Sequence, residues 1–140
     1  MFRHILKKNY HKKIVDHFNH PENIGYFDKS LPNIGNGLST LHGDLIKLQI
    51  KVENNIIIDT RIQTFGSGST IASSSYGSEL IKGMSLNNVS NINQQISKHL
   101  ELNEIKNYSA LLMECAIKDA IQNYKLKQVK NKMNDILKDL

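Results

Sequence analysis

A chain of 140 residues suffices for one domain whose core needs neither disulfide nor metal to hold it together. Hydrophobic residues make up 39% and charged residues 22%, an ordinary globular balance, and no apolar run reaches the length of a membrane-spanning helix. The net charge of +5 and the pI near 9.3 favour acidic partners, yet no lysine–arginine block singles out nucleic acid, and the lysine and asparagine habit of an AT-rich genome accounts for the same balance.

Residues 1–9 hold Arg3, Lys7 and Lys8 and no acid, which suits a very short organelle-targeting segment and equally a plain basic terminus. Tyr10 to Phe18 reads as a short helix: Ile14, Val15 and Phe18 recur at helical spacing, and Asn19-His20-Pro21 ends it. Pro21 to Thr40 is rich in Asn, Gly, Pro and Ser and reads mostly as loop. Asp44 to Val52 alternates as a strand, with Ile46, Leu48, Ile50 and Val52 on one face and Lys47, Gln49 and Lys51 on the other. A turn at Glu53-Asn54-Asn55 leads into a second strand, Ile56 to Phe65, with Ile56, Ile58 and Ile62 facing one way. Such a hairpin has one wet face and one apolar face that the following helices must cover.

Gly66-Ser67-Gly68 ends the hairpin, and a helix from about Ser69 to Lys82 stops at Gly83. Ser85 caps a short helix, and another spans about Asn91 to Leu100. The last helix starts near Tyr108, with Leu111, Cys115, Ala120, Ile121 and Tyr124 as its core face. Cys115, the single cysteine, reads as a small buried apolar residue, and it excludes an internal disulfide or a multi-thiolate site. Beyond Lys125, Val129, Met133, Ile136 and Leu137 form a thinner apolar stripe suited to packing on another chain. The fold class is therefore α+β, a small antiparallel sheet with helices packed on one face.

Three segments carry a likeness to a known family. They are Leu41-His42-Gly43-Asp44, Thr64-Phe65-Gly66-Ser67-Gly68-Ser69, and Asn107-Tyr108-Ser109-Ala110 ahead of Glu114-Cys115-Ala116. In order and spacing they resemble the IscU/NifU-type iron–sulfur cluster assembly scaffolds, whose corresponding segments read Cys-Gly-Asp, Gly-Cys-Gly-Ser and His-Cys-Ser. The resemblance spans roughly residues 10–128, leaving 129–140 as a C-terminal helical extension. Tyr10-His11-Lys12-Lys13-Ile14-Val15-Asp16-His17 looks like the mature start of the mitochondrial versions, which implies a mitochondrial, matrix-side location and favours the targeting reading of residues 1–9.

The resemblance also shows what is missing. Its three cysteine positions hold His42, Ser67 and Ser109, Tyr108 replaces the neighbouring histidine, and only Asp44 stands unchanged. Iron–sulfur clusters are held by soft thiolates, and neutral hydroxyls are poor substitutes. These vestigial positions imply no cofactor and no catalytic residue; His42 with Asp44 is at most a weak divalent-metal candidate, and the loop before His42 is about two residues shorter than the family's. Gly66-Ser67-Gly68 lacks the lysine of a Walker loop, and no serine triad is arranged. The family's Leu-Pro-Pro-Val-Lys handle for an Hsp70-type chaperone is replaced by Leu102-Asn103-Glu104-Ile105-Lys106, so that partner is not expected. The leading expectation is a non-enzymatic structural or binding subunit of a larger mitochondrial complex, a respiratory complex or the mitoribosome. The alternative is a component or regulator of iron–sulfur assembly that binds cysteine desulfurase, or a scaffold borrowing a partner's ligands. Nucleic-acid binding through the basic surface remains a third class.

Overall fold

A computed structural model describes residues 12–140. Four helices and three strands follow in the order α1 (Lys12–Asn19), β1 (Ile34–Leu41), β2 (Asp44–Glu53), β3 (Ile56–Phe65), α2 (Gly68–Leu80), α3 (Ile92–Leu100) and α4 (Tyr108–Lys138), with a short 3₁₀ turn at Leu86–Asn88. The strands form one antiparallel sheet in the order β1-β2-β3, and the helices cover its inner face. This is the α+β arrangement that the pattern predicts. The 1–9 segment and the start of the first predicted helix, Tyr10-His11, lie outside the described residues.

β2 follows its alternation without a fault, and Ile46, Leu48, Ile50 and Val52 are all buried. β3 departs from it. Lys51 pairs with Asp59 but Val52 pairs with Ile57, so Ile58 is an extra residue in a bulge. Beyond that point the face changes. Ile57 and Ile62 point into the core, while Ile56 and Ile58 are exposed at 40% and 42%. Strict alternation had placed Ile56 and Ile58 beside Ile62, and the bulge overturns that for both.

β1 is the element the sequence hid. Its inward positions are Gly35 and Gly37, so the loop reading of Pro21 to Thr40 fails over its last third. The reason is contact: α4 crosses β1 so closely that a Cβ on Gly37 would collide with the Ala116 carbonyl oxygen and with Ala120. Glycine is kept for that approach, and the period-two apolar signal is lost with it.

α4 also seals the outer edge of β1. The Leu38 amide donates to Asp119 Oδ2 at 2.8 Å and the Asn36 amide to Asn123 Oδ1 at 2.9 Å. One turn further on, Lys127 Nζ donates to the carbonyl of Ile34 at 2.8 Å. Three residues at helical i, i+4, i+8 spacing thus satisfy strand groups at i, i−2 and i−4. The other edge, β3, is covered by backbone bonds: Ile62 N donates to Asn23 O at 2.8 Å, and Ile57 N to Met84 O at 3.0 Å.

The core face of α4 is rotated from the predicted one. Leu112, Met113, Ala116, Ile117 and Ala120 are buried, whereas Leu111 is 49% exposed and Cys115 is exposed. Cys115 is therefore a surface thiol, not a buried apolar residue. α2 fills the centre with small residues: Ser69, Thr70, Ala72, Ser73, Ser74, Ser75, Gly77 and Ser78 are all buried. Their hydroxyls are returned to the backbone or to each other, as in Ser78 Oγ to Ser75 O at 2.7 Å and Ser74 Oγ to Ile71 O at 2.9 Å.

Removing the side chains that seal β1 tests this cover. Asn123→Ala should cost about 1 kcal/mol by stranding a part-buried amide. Asp119→Ala with Asn123→Ala should raise light scattering on heating, since it opens a strand edge to other chains. Urea unfolding and static scattering read the two effects.

Candidate functional site

The first of the five positions, His42, sits in a two-residue hairpin. Leu41 pairs with Asp44, so His42 and Gly43 alone make the turn, with φ of +51° and +86°. Positive φ at both is what a type I′ turn requires. His42 is exposed at its tip.

Asp44 starts β2 and turns its carboxylate inward, where it is 9% exposed. The carboxylate is caged by neutral donors. Thr70 Oγ1 donates to Oδ2 at 2.5 Å, Tyr108 OH to the same oxygen at 2.9 Å, and the Ser67 amide to Oδ1 at 3.3 Å. Ser67 Oγ closes the ring, 3.2 Å from Asp44 Oδ2 and 2.9 Å from the Tyr108 hydroxyl. Space for the cage depends on Gly66. Its φ is +153°, and a Cβ there would stand 2.5 Å from Asp44 Cγ. Burial works against the charge, but the bonds from Thr70, Tyr108 and Ser67 outweigh it and hold the carboxyl below its ordinary pKa.

Ser67 serves a second purpose as the N-cap of α2, its side chain accepting from the Thr70 amide at 3.4 Å. Ser109 parts company with its neighbour Tyr108. It is fully buried, its hydroxyl 2.9 Å from Ser73 Oγ and donating to Lys106 O at 2.8 Å. Of the five positions, then, the structure joins Asp44, Ser67 and Tyr108. It leaves His42 on the turn tip and Ser109 in the core. Among the described residues no hydrogen bond links His42 to Asp44. Thr70 and Gly66 are parts of the site that sequence reasoning did not single out. The residues show that Thr70 follows Ser67 by three positions, but not that its hydroxyl turns to the carboxylate.

The donor set does not fit an iron–sulfur cluster. The exposed thiol Cys115 lies on α4 two turns beyond Tyr108, and both oxygens of the lone carboxylate are already engaged by hydroxyl and amide hydrogens.

The sequence profile of the NifU-like N-terminal domain matches residues 9–131. The chain belongs to that family. It is 49% identical over 128 residues to iron-sulfur cluster assembly protein 2 of Arabidopsis thaliana, covering 89% of this chain and 78% of that protein. It is 49% identical over 125 residues to the iron-sulfur cluster assembly protein IscU of Plasmodium falciparum, covering 87% and 77%. With the mitochondrial iron sulfur cluster assembly protein 2 of Saccharomyces cerevisiae it shares 47% over 127 residues, covering 87% and 81%. Among solved structures, the N-terminal part of a NifU-like protein from Brucella abortus superposes with a TM-score of 0.66 over 84% of this chain and 94% of that one. At 18% identity that likeness concerns the fold alone.

Asp44 is the test of the cage. A carboxyl whose folded pKa is depressed adds stability that is present above its unfolded pKa and lost as pH falls through the folded value. Asp44→Asn should therefore unfold more easily at neutral pH, by about 1–3 kcal/mol, since one of its polar atoms then faces donors it cannot accept from. The deficit should begin to shrink as pH falls below about 4, where the unfolded chain takes up a proton that the folded carboxylate still refuses. Urea titrations at pH 7 and pH 3 measure both.

Proposed function

We propose that this NifU-like domain is a component of iron–sulfur cluster assembly that contributes a protein surface and no cluster ligands, engaging a cysteine desulfurase in the mitochondrial matrix. The observation that carries this is the Asp44 cage. The ligand end of a fold otherwise close to cluster-assembly proteins is filled by a hydroxyl network that is polar, ordered and part-buried. A desulfurase that docks a family scaffold by its shape would meet a familiar outline and find no thiolate to receive sulfur. The domain then acts as a regulator that occupies the enzyme, with no catalytic residue of its own. The names of the relatives support this assembly role over the structural-subunit reading, since none of them points to a respiratory complex or a mitoribosome. The mitochondrial name of the yeast relative supports the location.

The segment Leu102 to Lys106 supports the loss of a chaperone-dependent release step. It is a turn, with the Lys106 amide donating to Asn103 Oδ1 at 3.0 Å and the Asn107 amide to Asn103 O at 3.0 Å. Ile105 is 83% exposed at its tip. A chaperone groove that takes an extended segment would first have to unwind that turn.

Two measurements test the proposal. Mixed with a purified cysteine desulfurase, the domain should form a stable complex on gel filtration and should compete with a cysteine-bearing scaffold for the enzyme. Anaerobic reconstitution with iron and sulfide should leave it without a stoichiometric cluster. Absence of desulfurase binding, together with co-migration with a respiratory complex or mitoribosome, would return the structural-subunit reading.

His42→Cys, Ser67→Cys and Ser109→Cys together should restore less zinc binding than a cysteine-bearing relative shows. Ser109 is buried against Ser73, so the third substitution is not the surface swap that its place in the sequence suggests. Thermal melts should show it costing about 1 kcal/mol or more by leaving Ser73 short of a partner. Zinc affinity equal to the relative's would mean that neither the short turn nor this burial matters.

A further inference from the structure

α4 is held to the body as far as Gln128. Lys127 Nζ donates to the carbonyls of Lys29 at 2.6 Å, Leu31 at 3.1 Å and Ile34 at 2.8 Å, and Gln128 Nε2 donates to Pro32 O at 2.6 Å. From Val129 onward every residue is exposed, although the helix continues to Lys138. Leu126, Val129, Met133 and Ile136 are 57%, 55%, 58% and 62% exposed, and Leu140 extends the same spacing just past the helix end. Their steps alternate three and four, which is the a/d seam of a two-stranded coiled coil. The family profile stops at 131, so Met133, Ile136 and Leu140 lie beyond what the family supplies.

The positions flanking this seam choose the occupant. Lys125, Lys130 and Lys132 hold three of the e and g places, with Leu137 and Asp139 in the others. A second copy of the chain, parallel or antiparallel, would set lysine against lysine across so short a seam. A membrane surface is also disfavoured. The seam is narrow, it has no aromatic anchor, and Asn131, Asn134, Asp135 and Asp139 interrupt the polar side. We infer that the projecting stripe from Leu126 to Leu137 docks an amphipathic helix of a partner protein whose flanking positions are acidic. The inference stands on the tail alone and is independent of what the Asp44 end does.

The test uses the full chain and two synthetic helical peptides. Both carry leucine at a and d; one carries glutamate at e and g, the other lysine. Fluorescence anisotropy should show the acidic peptide binding, more weakly as salt rises, and the basic peptide not binding. Met133→Glu with Ile136→Glu, both on exposed positions, should weaken the acidic peptide by about tenfold or more while circular dichroism stays unchanged. Failure of the acidic peptide to bind, or equal binding of both peptides, overturns the inference. So does self-association in sedimentation that the double variant abolishes, which would make a second copy the occupant. Binding to vesicles of phosphatidylserine and phosphatidylcholine, lost in the same variant, would assign the stripe to a lipid surface and overturn it equally.

Discussion

The architecture depends on how closely α4 lies on β1. A three-stranded sheet has two edges, and an unpaired edge invites other chains. Here the first strand gives up side chains at Gly35 and Gly37 so that the helix backbone can reach it. In return Asp119, Asn123 and Lys127 supply the hydrogen bonds that a fourth strand would have made. Everything else follows from that seating. The rotation of α4 that points Ala116 and Ala120 at the glycines also points Met113 and Ile117 at the core, sends Cys115 outward, and brings Tyr108 over Asp44.

At the start of the same helix the Asp44 site is held together by ordinary hydrogen bonding. A thiolate site keeps its ligands apart and unprotonated, available to a soft cation. This site does the opposite, because one carboxylate draws three side chains and an amide onto itself. The arrangement stabilises a charge without needing a metal, and it stiffens the junction of β2, α2 and α4.

Much of the fold was legible because burial and period coincide over β2, α3 and the hairpin turn. Asn54 and Asn55, at φ of +52° and +64°, sit where the turn was read, and Ser85 caps the short 3₁₀ turn that follows. What escaped did so for identifiable reasons. β1 has no alternating apolar residues, because its buried face is glycine against helix backbone. The bulge at Ile58 shifts the period by one, which no run of three isoleucines can announce. On α4 the polar residues Asp119, Asn123 and Lys127 look like a solvated face, yet they are bonded to a strand. The absence of ligands at positions 42, 67 and 109 was plain in the residues themselves. That Thr70 would join the carboxylate, and that Ser109 would turn away from it, are facts of helix phase that a single chain does not display.

α4 runs unbroken through 31 residues, from the tyrosine that touches Asp44 to Lys138. At about 1.5 Å per residue this is a strut of roughly 46 Å. Because it is a helix bonded along its first two-thirds to the sheet, its length and direction are fixed by the fold. The stripe from Leu126 to Leu137 therefore stands at a set distance from the caged Asp44 end. The helix is a rigid spacer between those two surfaces, and neither can approach the other unless it unwinds.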